Sequence, residues 1–528
     1  MSLIHHTQSK EIGSVNTLSG GARYQADPLA VFKHLCADKK HNLLLESAEI
    51  DKKHALKSLL LTDAALRIVC NGNQVRFQPL TLNGQAALAF AKSQLTDVAN
   101  VEEIEDELLV TFAEVPAQLD ERSRLKATNS FQGLRLFTNM ENLDHHPLAV
   151  FLGGSFAFDM IAMSEHLPDV ADGENTCPDY VYYLAETLVV IDHEKRSSEI
   201  IGNVFTGPEQ QKCYFEISRR LSAIKETLDT LSPSSDELPS APADLAVNVD
   251  ISDEAFCDKV IALKENVKAG DIFQVVPSRT FSLPCQDTFK AYQALKKSNP
   301  SPYMFYMQDD DFTMFGASPE SAIKFQHESR QVEIYPIAGT RPRGFDKNGN
   351  LSLDLDCRIE LELRQDKKEL AEHIMLVDLA RNDVARVSKP GTRYVADLLK
   401  VDRYSHVMHL VSRVCGTLDD ELDALHAYQA CMNMGTLSGA PKVSATSLIR
   451  QYEGKRRGSY GGAVGYLTGE GEMDTCIVIR SAFVRNNVAH VQAGAGVVYD
   501  SDPQSEANET RQKTQAVINA IKLAAGEE

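Results

Sequence analysis

Two short connections late in the chain constrain its fold most. GEGE at 469–472 and Asn486-Asn487 join successive strand-like runs, YGGAVGYLTG, DTCIVIRSAFVRN and VAHVQAGAGVV. A parallel crossover needs a dozen or more residues, so links this tight favour antiparallel hairpins. SAIKFQ, RQVEIYPIAG and HVMHLVSRVCG upstream also read as strands, and Asp253–Ala269 reads as an amphipathic helix. The fold class expected is α+β, with large antiparallel sheets packed between outer helices.

The first half carries the same signals. ALRIVC, NQVRFQPL, YLAETLVVID and SEIIGNVF read as strands, with helices near Pro28–Cys36 and Gln210–Leu231. SPSSDELPSAPADLAVN, from Ser232 to Asn248, is rich in Pro, Ser and Asp and without periodicity. It is read as a linker between an N-terminal portion, 1–231, and a C-terminal portion, 249–526. A chain of 528 residues exceeds one ordinary core, so two domains or one large interleaved body are expected.

A formal charge of -20 disfavours nucleic acid, which demands a basic face, so an anionic small substrate must be caught locally. The ten cysteines are scattered with no C-x-x-C, which argues against structural zinc and a disulfide framework and for a reducing cytoplasm. The N-terminus, with His5 and His6, has no signal-peptide layout. The most apolar stretch, Leu148 to Met163, is interrupted by Asp159 and too short to span a bilayer. No membrane association is expected. Tryptophan is absent from the composition.

Two glutamate pairs spaced i, i+3 carry the first chemical signal: Glu369/Glu372 in KKELAEHIMLVDLARND and Glu506/Glu509 in DPQSEANETRQKTQAVINAI. Both segments read as helices. In the second, Asp502 is placed to cap, Pro503 to open the first turn, and Ala507, Thr510, Thr514, Val517 and Ile521 to form one stripe. Each pair projects from one face, so two facing helices would aim four carboxylates into one space. Such a cluster repels itself without a cation. Oxygen-only ligation with no paired His or Cys points to Mg²⁺. Taken alone, such pairs are more often solvated helix faces.

Several familiar patterns fail. FDKNGNLSLDLDC starts like a calcium loop at Asp346, Asn348 and Asn350 but has Leu351 for the required Gly and Cys357 for the final Glu. In GTLSGAPKVS, Ala440-Pro441 separate Gly439 from Lys442, so no phosphate loop forms. GGSFA has Ala157 where a nucleophile elbow needs Gly. The run Gly494-Ala495-Gly496 lacks the third Gly of a dinucleotide fingerprint.

PIAGTRPR (336–343), ASPE (317–320), VMHLVSRV (407–414), MNMGTLSGAPK (432–442) and the Gly494–Gly496 run together resemble the chorismate-utilising enzymes, and within them the anthranilate-forming branch. The similarity covers nearly everything from Asp253 to Lys522 and reaches forward through GGSFAFDM (153–160) and LLLESAEI (43–50). It implies a chorismate-binding fold with an interleaved N-terminal regulatory portion.

The resemblance also implies roles. Glu372 and Glu509 would ligate Mg²⁺, supported from a second shell by Glu369 and Glu506. Gly339, Thr340, Tyr460, Arg480, Gly494, Ala495, Gly496 and Lys513 would contact chorismate, the glycines through close backbone approach and Arg480 through a two-pronged guanidinium. Glu320 would protonate the departing hydroxyl, His409 would remove the ring proton, and Gln274 and Thr436 would complete the catalytic set. His406, three residues before His409, would point from the opposite face of a strand. Two positions separate relatives. Water-using isochorismate and salicylate enzymes place a Lys base where Gln274 stands, and aminodeoxychorismate synthases place a nucleophilic Lys where Ala338 stands. Both departures favour ammonia as nucleophile and direct amination.

LLLESAEI and NPSPYMFY (299–306) resemble that family's tryptophan feedback site, which implies contacts from Glu46, Ser47, Pro302, Tyr303 and Met304. No cysteine-centred amidotransferase module follows Lys522, so the resemblance implies a separate glutamine amidotransferase subunit supplying ammonia in a heterotetramer. The alternatives are another chorismate enzyme, making aminodeoxychorismate, isochorismate or salicylate, and a non-catalytic amino-acid sensor. Erosion at Glu320, Glu372, His409 or Glu509 would mark the sensor, and all four are present.

Overall fold

The structure is a computed structural model and describes residues 12–47, 56–116, 118–232, 238–347, 349–404 and 407–526. His5, His6, His406, Asn348, the end of LLLESAEI and 233–237 of the linker lie outside the described residues.

The described strands form one continuous, almost wholly antiparallel sheet, with a two-stranded ribbon beside it; in the large sheet only the pair Ser14–Ala22 and Glu141–Asn142 runs parallel. The antiparallel α+β reading holds. The two long strands Lys57–Asn71 and Tyr180–Asp192 lie side by side, and two arms of sheet leave them. One arm runs through Asn42–Glu46, Tyr303–Gln308, Thr313–Ser318, Ser481–Arg485, Val488–Gly494 and Ser278–Pro284. The other runs through Phe151–Phe156, Ala463–Thr468, Met473–Ile477, Ser321–Gln326, Gln331–Ile334 and Val407–Thr417.

Apolar side chains alternate along these strands and pack the arms against each other: Leu43, Phe305 and Phe483 from one meet Phe151, Val464 and Cys476 from the other, with Leu61 of the long pair, in one buried cluster. Helices cover the outer faces. Pro28–Cys36, Thr288–Ser298 and Pro503–Ala524 pack over the first arm, Ala424–Cys431 and Lys367–Ala385 over the second, and Gln210–Thr230 and Leu82–Leu95 over the strand Ser197–Phe205 beside the long pair. The N-terminal half interleaves with the rest, because its strands Asn42–Glu46 and Phe151–Phe156 pair directly with Tyr303–Gln308 and Ala463–Thr468.

The short connections behave as their length dictates. The 469–472 link closes a hairpin between Ala463–Thr468 and Met473–Ile477. Asn486 and Asn487, at φ 52° and 60°, turn Ser481–Arg485 into Val488–Gly494. Two runs read as single strands are each divided. RQVEIYPIAG splits into Gln331–Ile334 and Ile337–Pro342 around Pro336, whose missing N–H cannot extend a ladder. DTCIVIRSAFVRN splits into Met473–Ile477 and Ser481–Arg485 because Arg480 sits at φ 50°, a left-handed turn that sends the chain from one arm to the other. The partner crossing is Pro319-Glu320, between Thr313–Ser318 and Ser321–Gln326. The two crossings are adjacent: Ala317 N–H donates to Arg480 O at 3.1 Å, and Ile477 N–H to Glu320 O at 3.0 Å. Among the described residues no helix is long and apolar enough to cross a membrane. The ten cysteines are all free thiols.

Candidate active site

Where the arms part, a cavity of about 730 Å³ opens, and both crossings contribute to its wall. Glu320, His409, Gln274, Thr436, Gly339, Thr340, Tyr460, Arg480, Gly494, Gly496, Lys513 and all four paired glutamates line it. A larger cavity of about 910 Å³, between Pro28–Cys36 and Thr288–Ser298, holds none of the residues singled out from the sequence. Ala495 is not brought to the wall: its side chain is fully buried and its N–H is donated to Pro277 O at 3.1 Å, so it has no free donor for a ligand.

Glu320 is 7% exposed, and its carboxyl meets one protein hydroxyl, Thr436 Oγ1 at 2.9 Å. Burial pushes its pKa up to about 8, against smaller downward pulls from Thr436, Arg480 and Lys513. At neutral pH it therefore holds its proton. The Arg480 guanidinium forms no hydrogen bond to any described protein group. Burial draws its pKa down, and it faces the cavity as a planar donor set without a carboxylate partner.

His409 stands opposite Thr340 across the ladder between Val407–Thr417 and Ile337–Pro342. The register shifts at Gly339, whose φ of 76° and lack of a Cβ let the bulge pass within reach of Leu363 and Glu369. That shift sets Thr340 Oγ1 at 2.9 Å from His409 Nδ1. Burial, reinforced by Arg480, lowers the His409 pKa to about 4, so the imidazole is neutral at physiological pH. Tyr404 packs edge-on to it at 5.2 Å.

Gln274 is 5% exposed, and its Oε1 has no hydrogen-bond donor. A Cβ on Gly496 would stand 2.9 Å from its Nε2, so glycine there preserves the amide's place. Tyr460 is buried, with its pKa raised to about 12, and a Cβ on Gly494 would stand 3.1 Å from its hydroxyl. Lys513 Nζ bonds Gly494 O at 2.9 Å and pairs with Glu509 at 2.5 Å.

The glutamates come from the two helices expected, Lys367–Ala385 and Pro503–Ala524. Asp502 caps the second through Ser505 N at 2.9 Å, and the stripe Ala507, Thr510, Thr514, Val517 and Ile521 is buried throughout. Glu506 is 4% exposed, whereas the Glu509 side chain is 43% exposed. Arg341 holds Glu369 at 2.9 Å. Glu372 Oε1 is buried without a hydrogen-bond partner, its nearest cation being Lys368 Nζ at 3.8 Å. Burial, and then the charges of Glu369, Glu506 and Glu509 partly offset by Lys368, leave its pKa at about 7. An orphaned carboxylate oxygen facing further carboxylates fits a hard divalent cation. Among the described residues the one set of three metal-capable side chains within 4.8 Å of one another is His41, Asp309 and Asp310. Arg67 already neutralises Asp309 there, at 2.8 and 2.6 Å.

Glu46, Ser47, Pro302, Tyr303 and Met304 also come together, because Asn42–Glu46 pairs with Tyr303–Gln308 and sets Glu46 opposite Met304. Glu46 accepts from Tyr292 at 2.6 Å and Lys296 at 2.5 Å. The preceding residues Asn299, Pro300 and Ser301 line the cavity itself, so one short segment touches both places.

Sequence reasoning did not single out Arg341, Lys368 or Tyr404. Arg341 lies inside the PIAGTRPR motif and Lys368 stands four residues before Glu372, so both had a local signal. Tyr404 had none.

A fold of sheets between helices with a cavity at their divergence, lined by a protonated carboxyl, an unpaired guanidinium and a carboxylate cluster, defines an enzyme-like site for a small polyanion. The chain belongs to the chorismate binding enzymes, whose family model matches residues 93–519. It is similar to anthranilate synthase component 1 of Vibrio cholerae, 58% identical over 97% of each chain, and to that of Escherichia coli, 55% identical over 95% of this chain and 96% of that one. Among solved structures it is similar to anthranilate synthase component I from Streptococcus pneumoniae TIGR4, at 27% identity and TM-score 0.66 over 89% of this chain and 93% of that one. The menaquinone-specific isochorismate synthase MenF of Escherichia coli shares the fold at 16% identity and TM-score 0.66 over 97% and 96%.

The raised Glu372 pKa has a thermodynamic consequence. Its folded value, about 7, lies above the unfolded 4.5, so the folded state retains a proton that the unfolded chain releases, and stability falls as pH rises between them. With a chelator present, Glu372→Gln is expected to be more stable than the parent at pH 8 by about 1–2 kcal/mol, and near parity at pH 4.5. Urea midpoints at the two pH values measure this, and equal midpoints for the two proteins at pH 8 would contradict it.

Proposed function

We propose that this chain is the chorismate-converting component of an anthranilate synthase, a Mg²⁺-dependent lyase that turns chorismate and ammonia into anthranilate and pyruvate at the head of tryptophan biosynthesis. The observation that carries the reading is the pairing, in one cavity, of a Glu320 kept protonated by burial with an Arg480 guanidinium lacking a protein partner. Chorismate brings what each lacks: a carboxylate for the guanidinium, and a poor leaving hydroxyl for the acid.

Mg²⁺ held by Glu372 and Glu509, with Glu369 and Glu506 behind them, would neutralise a second substrate carboxylate. The chain's own residues do the rest. Arg480 binds and orients the other carboxylate. Glu320 passes its proton to the 4-hydroxyl oxygen, which leaves as water as its bond to ring carbon 4 breaks and ammonia bonds to ring carbon 2; the nitrogen, cationic on bonding, then gives up one N–H proton, which restores the Glu320 acid. The Gln274 amide oxygen accepts from the nucleophile's N–H but is too weak a base to deprotonate water, and Ala338 has no nucleophile to offer. His409, neutral and oriented by Thr340, then takes the proton from carbon 2, and the enolpyruvyl group departs as pyruvate, leaving the aromatic ring.

Ammonia would come from a glutamine amidotransferase subunit, in a cytoplasmic heterotetramer. Glu46, Ser47, Pro302, Tyr303 and Met304 would receive L-tryptophan as inhibitor. The continuity of Asn299–Ser301 with that segment supports a mechanical route from there to the cavity.

Incubated with chorismate, ammonium and Mg²⁺, the chain should generate anthranilate fluorescence, lose it on chelation and regain it when Mg²⁺ is restored. Chorismate consumed without anthranilate would refute the assignment. At a fixed concentration of unprotonated ammonia, the rate should fall as pH rises through about 8, where Glu320 loses its proton. A rate that keeps rising would remove Glu320 as the acid. Ser47→Phe should relieve inhibition by tryptophan with uninhibited turnover little changed; undiminished inhibition would place the inhibitor elsewhere.

A further inference from the structure

The hydroxyl that touches Glu320 belongs to a segment with little regular structure of its own. Thr436 lies between the helices Ala424–Cys431 and Lys442–Glu453. Behind it is a cavity of about 20 Å³, bounded by Leu376, Leu379, Ala380, Met434 and Gly435 as well as Glu320 and Thr436. Apolar packing from that side is therefore incomplete, and polar contacts hold the segment: Asn433 Nδ2 donates to Phe158 O at 2.8 Å and Val276 N–H to Ser438 O at 3.1 Å.

Two buried cations add to these at its ends. Lys442, 9% exposed, reaches back with Nζ to Cys431 O at 2.9 Å and Met432 O at 3.4 Å, and is anchored to Asp383 at 2.7 Å. Arg457, 2% exposed, takes the other end, donating from Nη1 to Leu437 O at 2.7 Å. Its Nη2 donates to Val276 O at 2.6 Å, two residues after Gln274. Glu453 neutralises it at 2.6 and 3.0 Å, and the Phe158 and Tyr460 rings lie 4.7 and 5.4 Å from its guanidinium carbon. Glu453 in turn accepts from Ser278 N and Oγ, both at 2.8 Å. One planar cation thus joins the Thr436 segment, the Gln274 strand and the Tyr460 wall, with a geometry that a point charge cannot reproduce.

We propose that Arg457 and Lys442 are positioning residues that clamp the 432–438 segment at its two ends and so hold the Thr436 hydroxyl on Glu320. Neither lines the reaction cavity; both act through Thr436. The catalytic consequence rests on the reading of Glu320 as proton donor, whereas the geometric claim does not.

Arg457→Lys keeps the charge and removes the fork. Its kcat for chorismate should fall about 10-fold or more, and by a larger factor than KM rises, because losing the fork displaces the acid more than the groups that bind substrate. Thr436→Val should lose a comparable factor. If Arg457 acts through Thr436, the double variant is no slower than the slower single one; losses that multiply would overturn the proposal. A crystal structure of Arg457→Lys decides the geometry independently of the reaction. Thr436 Oγ1 moved out of hydrogen-bond reach of Glu320 supports the clamp, and retention of the 2.9 Å contact overturns it. Should Arg457→Lys not fold, the paired replacement Asp383→Leu with Lys442→Met, which leaves no lone buried charge, takes the same measurements at the other end. A parent chain that leaves chorismate untouched would refute the functional reading, and the crystallographic comparison would still judge the clamp.

Discussion

The parting of two paired strands governs the rest of this molecule. Thr313–Ser318 and Ser481–Arg485 run side by side in one arm, Ser321–Gln326 and Met473–Ile477 in the other, and the backbone bonds Ala317 to Arg480 and Ile477 to Glu320 stitch the two crossings together. A regular ladder would have placed successive side chains alternately in the inter-arm core and under the outer helices. Breaking it at two adjacent points opens a polar cavity within a body otherwise filled by apolar contacts. Burial disturbs both residues at the break, Glu320 being an acid kept neutral and Arg480 a base made less basic.

Charges of both signs line the cavity. Glu369, Glu372, Glu506 and Glu509 arrive on two capped helices whose other faces are held by packing, so they are presented together whatever their mutual repulsion costs. Arg480, the neutral His409 and Lys513 line the same cavity, Lys513 from the helix that carries Glu506 and Glu509. The net charge of the chain plays no part in this. A strongly acidic protein makes room for an anion by leaving one half-buried guanidinium without a protein partner in the same cavity as its carboxylates.

Some of this was legible in local sequence. Hairpins followed from connections too short to cross over, and the C-terminal helix from Asp502, Pro503 and its buried stripe. Motif resemblance supplied most of the cavity residues, and Ala495 fell outside because a main-chain bond to Pro277 takes its N–H. The break in DTCIVIRSAFVRN was hidden. Arginine carries no propensity for a left-handed backbone, and its apolar neighbours satisfy a strand pattern on both sides. Tyr404, one residue past the strand Tyr394–Arg403, meets His409 edge-on, and nothing local specifies that contact. Arg457, in KRRGSYGG, reads as one of three surface cations until burial singles it out.

By itself, then, the order of residues determined many of the strands and helices and that neighbouring strands run antiparallel, because periodicity, capping and turn length act over a few residues; the candidate site residues came from motif resemblance instead. Only the tertiary structure decided that the sheet parts into two arms at Glu320 and Arg480, that Glu320 keeps its proton while His409 stays neutral, and that two buried cations stand behind Thr436. These depend on burial and on the fields of groups hundreds of residues apart, and no local pattern encodes either.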